Sequence, residues 1–478
     1  MGVLRLDKDP FRDEMLESKI LLILFQALLQ ILDDQDQPEE PPTSQLNNNI
    51  CALLCLDSLS SLTFLGDLQT QVQSTIVSLL ERIQNSSTVS PFGELLTTYL
   101  SRVSTTNAPS NPNPSLSTKS THHLTPKSLK TYTSFFSQLP CGKSPTPQRL
   151  LSVVIEGHLF VPLLQKHQPS PFGSDSDDRY LVFIAVTFTF ANRIRPFYLS
   201  ADVLLDMMVL TLRAYQLDEF VEHDIGKGLS PRVEEVKRFL QDMLGPGLSQ
   251  REGPSTPVDG LLQSICEKLS AFSDTILLHP VVLKSSPYNQ ALLQSELHEY
   301  LTAHMDQLHD SRAFYTNATI PFNSYHHWVR TRGASHVFVA FSLAYLTCLV
   351  PGTRNLARTA EETYLTQEIW QHLGRKVRME NDYPSLGRDR KEGNLNSLDF
   401  PEFHQGEGGG GEEGRVQLLR IIGREMEMCE MGLGGLEGLV GEGDAGLRVL
   451  RFYYFLSDVV GDVYALRDIS REAGEGAG

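Results

Sequence analysis

A chain of 478 residues has room for two or three domains, or for one large domain with extensions. Its hydrophobic share of 41% is that of a protein with a real core. A formal charge of −17 argues against a nucleic-acid partner and against an anionic membrane surface. The cysteines Cys51, Cys55, Cys141, Cys266, Cys348 and Cys429 are scattered without zinc spacing, and no basic-then-apolar leader opens the chain. The longest apolar run, 20–32, is interrupted by Gln26 and Gln30 and is too short to span a bilayer. A cytoplasmic protein without a membrane span is therefore expected.

Taken in order, apolar periodicity predicts helices over 11–32 and 50–83, separated by a Pro/Glu/Asn-rich loop. The stretch 104–126 is rich in Ser, Thr, Asn and Pro and reads as a linker. These features divide the chain into an N-terminal helical extension (1–104), a flexible linker (105–127) and a main domain (128–478). Within the main domain, helical patterns run over 150–166, 180–192, 201–220, 233–244, 258–278, 291–309, 415–431 and 447–469. Strand signals are scarce, so the predicted fold class is all-α. The glycine-rich stretch 432–446 predicts a weak helix or a loop, because each glycine costs about 1 kcal/mol relative to alanine inside a helix. His404 to Gly414, HQGEGGGGEEG, predicts a flexible acidic loop of the kind that serves as a lid. Gly142-Lys143-Ser144 mimics the end of a phosphate-binding loop, but Ser137 stands where the first glycine belongs and Pro145 follows at once.

Two stretches carry chemistry. In Arg378 to Phe403, RMENDYPSLGRDRKEGNLNSLDFPEF, the residues Asn381, Ser385 and Asp389 recur every fourth position. On a helix that spacing stacks an amide oxygen, a hydroxyl and a carboxylate on one face, all hard ligands of the kind Mg²⁺ prefers. Arg388 sits beside Asp389 and could contact an anion carried by the metal. The second stretch, Asp218-Glu219-Phe220-Val221-Glu222, closes an apolar helical run. Asp218 and Glu222 lie four residues apart, at a helix end whose dipole disfavours carboxylates unless a cation is present. Alone, each stretch also reads as a solvated polar helix end. Together they supply two oxygen-lined faces that could close on Mg²⁺.

These elements look like the aspartate-rich motif and the N-S-D/E metal motif of class I terpene synthases. NDYPSLGRDRKEGNLNSLDFPEF resembles, more narrowly, the C-terminal catalytic domain of fungal labdane-related diterpene synthases, the copalyl diphosphate/kaurene synthase group. The resemblance continues through Lys8 to Arg12, Pro171-Phe172-Gly173, Thr187 to Asn192, Tyr215 to Phe220, Trp328 to Thr331, Ser457-Asp458-Val459 and Tyr464 to Asp468. It implies a class I α-helical bundle that binds three Mg²⁺ through Asp218, Glu222, Asn381, Ser385 and Asp389, with Glu219 as a further candidate. It implies that Arg330 and Arg388 contact the diphosphate, that Arg467 reaches the mouth of the site, and that Phe188 and Phe190 line the pocket.

The family's larger members protonate geranylgeranyl diphosphate with a D-x-D-D acid in N-terminal class II domains. Asp175-Ser176-Asp177-Asp178 has that spelling but lies in a polar loop inside the class I region, with no class II fold upstream. The implied substrate is therefore a ready-made copalyl-type diphosphate, supplied by a separate class II cyclase. Direct use of geranylgeranyl diphosphate and a catalytically impaired remnant are the alternatives. A chain-elongating prenyltransferase would show a second D-D-x-x-D motif, which this chain lacks. Three departures from the family pattern stand out. Arg332 and Ser335 replace the usual Thr and Asp beside Gly333, the expected helix break. Pro384 replaces a usual Gly, so that the metal helix either starts near Asp382 or bends there.

Overall fold

The computed structural model describes residues 132, 135–139, 147–167, 170–172, 178–194, 197, 199–225, 232–245, 260–317, 324–350, 359–404 and 412–466. The proposed extension 1–104, the linker 105–127, Gly142-Lys143-Ser144, Asp175 to Asp177 and Arg467 lie outside them. Among the described residues all regular structure is helical and no strand occurs. The all-α expectation holds.

The first helices are α1 (Pro147–Lys166), α2 (Asp178–Ile194) and α3 (Ala201–Phe220), the last running into a π-helical turn, Val221–Ile225. Ser200 starts α3 by accepting the Val203 N–H on its side chain, which satisfies one of the free donors of the first turn. Next come α4 (Val233–Leu244), α5 (Gly260–Leu277), the short α6 (Pro280–Leu283) and the long α7 (Pro287–Asn317). A broken segment follows: α8 (Tyr325–Trp328), a π turn (Val329–Gly333), α9 (Ala334–His336) and α10 (Val339–Leu349). The described residues close with α11 (Ala360–Glu392), two 3₁₀ turns (Ser397–Asp399 and Pro401–His404), α12 (Glu412–Val440) and α13 (Ala445–Leu466).

The break in the middle segment is not at Gly333. That residue is right-handed helical, with φ −58. Its missing Cβ instead makes room for the Trp328 ring and the Arg378 stem, each 3.3 Å from where a Cβ would sit. The helix breaks at Val337–Phe338, between α9 and α10, with a bend of 41°. This bent pair has the length and composition of a membrane segment, but α10 is almost wholly buried in the core. No single helix among the described residues is long and apolar enough to cross a membrane.

Helix α11 carries the N-S-D face, and it begins far upstream of Asp382. Thr359 caps it by accepting the Glu362 N–H at 3.1 Å, and Gly393 ends it with φ +82, a left-handed conformation that glycine adopts cheaply. Pro384 therefore sits in the interior and deprives the Glu380 carbonyl of its helical donor. The glycine-rich stretch stays helical as far as Val440, and Gly441 at φ +86 ends it. Gly432 explains part of this: a Cβ there would lie 2.7 Å from the Ile369 side chain, so the glycine lets α12 close on α11.

Two apolar clusters hold the bundle. The larger joins α1–α7 and α10–α13 through residues such as Leu164, Leu204, Leu269, Leu297, Leu346 and Val459. The smaller gathers Tyr325, Trp328, Met379, Leu395, Phe400, Phe403 and Leu418. It forms the floor under the turn that follows α11.

Candidate functional site

On α11, Asn381, Ser385 and Asp389 succeed one another at intervals of about one turn. Ser385 and Asp389 are buried and Asn381 half-buried. The Ser385 hydroxyl donates to Asp389 Oδ2 at 2.6 Å. Fully buried Asn396 completes this group. Its Oδ1 accepts the Leu398 N–H at 2.9 Å, so its amide nitrogen faces the helix. There Nδ2 reaches Asp389 Oδ2 (2.7 Å), the Asp382 carbonyl (2.9 Å) and Ser385 Oγ (3.3 Å).

The second acidic motif meets the same turn. Asn394 Nδ2 donates to Glu222 Oε1 at 2.8 Å, across 172 residues of sequence. The electrostatics link the motifs further. Burial raises the Asp218 pKa to about 6; Arg388 and Arg378 oppose the rise, and Glu219 and Asp389 add to it. Glu222 is raised to about 8 by burial, then by Asp218 and Glu392, against the Asn394 hydrogen bond and Arg388. Yet the Asp218 side chain keeps 45% of its surface accessible. Glu219 is exposed.

Behind Asp218 lies a buried aromatic and basic wall. His304 Nε2 is 3.8 Å from Asp218 Oδ1, and its ring lies 4.5 Å from that of Tyr300 and 4.3 Å from that of His336. Tyr300 in turn stacks on Phe341 at 5.2 Å. Arg378 donates to His336 Nδ1 (3.1 Å), Asp382 Oδ2 (3.0 Å) and the Leu395 carbonyl (2.8 Å), and lies over the Trp328 ring. Burial, then the neighbouring cation, lowers the His304 pKa to about 3. Burial first, then His304 and Arg378, holds His336 well below the ordinary range. Both imidazoles are neutral.

Asp218, His304 and His336 bring one potential metal-ligand atom each within 4.8 Å of one another. Arg378 works against a cation held by this trio. Its N–H occupies His336 Nδ1, which leaves that ring's proton on Nε2, and its own charge is close by. The other side of Asp218 suits Mg²⁺ better. There the donors are hard oxygens, and Asp218 and Glu222 have pKa values raised first by burial, with neighbouring carboxylates adding to the rise, a setting in which a divalent cation would favour the charged forms.

The remaining expected residues are distributed as follows. Arg388 is half-buried, 3.5 Å from Asp389 and 3.6 Å from Glu392. Arg330 is exposed on the π turn Val329–Gly333. Phe188 and Phe190 are buried on α2, and Phe190 lies ring to ring with Phe136 at 5.3 Å. Sequence reasoning missed Asn394, Asn396, Arg378, His304 and Tyr300. Only Asn396 left a signal: Asn396-Ser397-Leu398-Asp399 has the spelling of a helix-start box, and Asp399 indeed accepts the Asn396 N–H.

No family model matches the chain. Among curated proteins it is 28% identical over 374 residues to a pimaradiene synthase of Emericella nidulans, covering 70% of this chain and 38% of that protein. It is 28% identical over 355 residues to ent-kaur-16-ene synthase of Fusarium fujikuroi, covering 67% and 37%. It is 26% identical over 400 residues to phyllocladan-16-alpha-ol synthase of Phomopsis amygdali, covering 71% and 39%. The chain thus spans under two-fifths of the length of these relatives. A solved point variant of cucumene synthase aligns at a TM-score of 0.38 with 16% identity, covering 63% of this chain and 92% of that one. By sequence, this chain is similar to fungal diterpene synthases over about 70% of its own length.

Proposed function

We propose that the chain is a class I diterpene synthase that ionises a copalyl-type diphosphate and guides the resulting cation to a diterpene, releasing diphosphate. The observation that carries this reading is the meeting of two acidic motifs, distant in sequence, at the turn that follows α11. Asp218 and Glu222 stand on one side, Ser385 and Asp389 on the other, tied through Asn394 and Asn396.

In this reading Asp218, Glu222, Asn381, Ser385 and Asp389, with Glu219 at the rim, hold three Mg²⁺ ions. Bound Mg²⁺ supplies Lewis-acid stabilisation of the leaving diphosphate. Arg388 adds a fixed positive charge where the anion departs, and Arg330 and Arg467 are further diphosphate contacts. Phe188 and Phe190 are the pocket aromatics, whose π faces can stabilise positive charge. Water must be kept from the cation, which a bundle of apolar helices does by excluding it. A class II cyclisation is the reaction that supplies such a substrate, and the cytoplasm is the proposed setting.

The test is to incubate purified protein and Mg²⁺ with copalyl diphosphate or geranylgeranyl diphosphate, and to analyse hydrocarbons and released diphosphate. A diterpene from copalyl diphosphate is the expected result. A product from geranylgeranyl diphosphate alone would reassign the substrate, and both substrates left untouched would sink the reading. Asp218→Ala and Asn381→Ala are each expected to abolish turnover with the helical circular-dichroism signal retained. Near-parental turnover in either would overturn the ligand assignment.

A further inference from the structure

We propose that Asn394 and Asn396 are positioning residues: the turn after α11 acts as a two-pronged brace that holds both acidic motifs in cation-binding geometry. This rests on the metal-dependent reading above and adds residues that the metal motifs do not contain.

The brace starts from Gly393, whose left-handed conformation ends α11 and turns the chain back along the helix it has just left. The Asn394 backbone N–H returns to the Asp389 carbonyl at 2.7 Å. The turn is therefore fastened to the residue whose side chain it also serves. From here one amide points each way. Asn394 Nδ2 takes one oxygen of Glu222 on the α3 side. Asn396 Nδ2 takes Asp389 Oδ2 and approaches Ser385 on the α11 side. Each prong occupies one carboxylate oxygen through an N–H and leaves the other oxygen of that carboxylate outside the contact.

The turn itself is anchored from behind. Leu395 N–H donates to Ser311 Oγ of α7 at 3.0 Å, and the Leu395 carbonyl accepts from Arg378. Ser397 gives both its N–H (2.8 Å) and its hydroxyl (2.5 Å) to Asp382 Oδ2. Asp399 is held by Arg390 at 3.0 Å. Such anchoring goes beyond what a connecting loop needs. It fits a part whose task is to fix the angle of two carboxylates, as partners one step removed from a metal commonly do.

Neutral amide donors are the chemistry this task requires. An aspartate at 396 could still accept the Leu398 N–H, so the turn would keep its cap, but it would present a second carboxylate to Asp389. An aspartate at 394 would do the same to Glu222. The substitutions Asn394→Asp, Asn394→Ala and Asn396→Asp therefore separate the donor from the fold. The measurement is Mn²⁺ binding to the whole chain in the presence of inorganic diphosphate, followed by electron paramagnetic resonance, with thermal melting as the folding control.

Asn394→Ala is expected to weaken Mn²⁺ binding by about tenfold, within the range for removal of such partners, with little change in melting. Asn394→Asp and Asn396→Asp are expected to weaken it further. Parental affinity in a folded Asn394→Ala and a folded Asn394→Asp would overturn the brace while leaving the metal-dependent reading intact. Absence of Mn²⁺ binding to the parental protein would overturn that reading, and the brace with it. Should Asn396→Asp not fold, the half-buried Asn394 pair decides the matter.

Discussion

Lys376 is completely buried on α11, with its ammonium 2.9 Å from Glu380 and 3.0 Å from Asp458 of α13. Glu380 precedes Asn381, and Gly461 of α13 presses on it so closely that a Cβ would lie 2.5 Å from the carboxylate. Removing the lysine strands two carboxylates in the interior. Lys376→Ala is expected to cost about 3–5 kcal/mol of stability in chemical denaturation, the usual penalty for breaking a buried pair from one side. Asp206 behaves differently. Burial, then Asp202, raises its pKa from 3.8 to about 7, and His279 stands 3.7 Å away with its own pKa lowered by burial. The folded state thus holds the Asp206 proton more tightly than the unfolded chain. That contribution is complete below about pH 4 and is lost as the pH rises through about 7. Asp206→Asn is therefore expected to be more stable than the parent by about 1–3 kcal/mol at pH 8, with the gap closing toward pH 4 in parallel melts. At this scale the sequence was legible where spacing encoded geometry: Ser385 and Asp389 do share a face, and Asp218 does lie with Glu222 in one field. It was silent on Arg378 and His304, whose importance comes from neighbours on other helices.

Among the elements, α4 spans the predicted 233–244 and α3 the predicted 201–220, because an apolar stripe bounded by caps and breakers is local information. Two departures share a cause. Pro384 and the glycines of α12 are helix breakers by intrinsic propensity, yet both helices continue through them, since tertiary contacts outweigh local preference. Not all of those glycines serve the same end. Gly432 meets Ile369, whereas a Cβ on Gly434 would meet nothing within 4 Å. Gly432→Ala is expected to destabilise by about 1–3 kcal/mol through overpacking, and Gly434→Ala to stabilise by up to about 1 kcal/mol. Opposite shifts in melting temperature would check the pair. Sequence alone could not tell one glycine from the other.

For the molecule as a whole, composition and periodicity were enough for an all-α bundle, and the two acid motifs were enough to say that distant parts must converge. How they converge was not encoded in any short stretch. The contact that joins them, Asn394 with Glu222, spans 172 positions, and the bundle also ties the Tyr215 hydroxyl to that of Tyr464, 249 positions away at 2.6 Å. Contacts of that separation form only after large loops have closed, which is slow and entropically costly. The joining of the two motifs therefore waits on closure of the 172-residue span between Glu222 and Asn394. A nascent chain on the ribosome would display the Asp218 stretch well before Asn394 existed, so the two motifs meet only once the turn after α11 has left the exit tunnel.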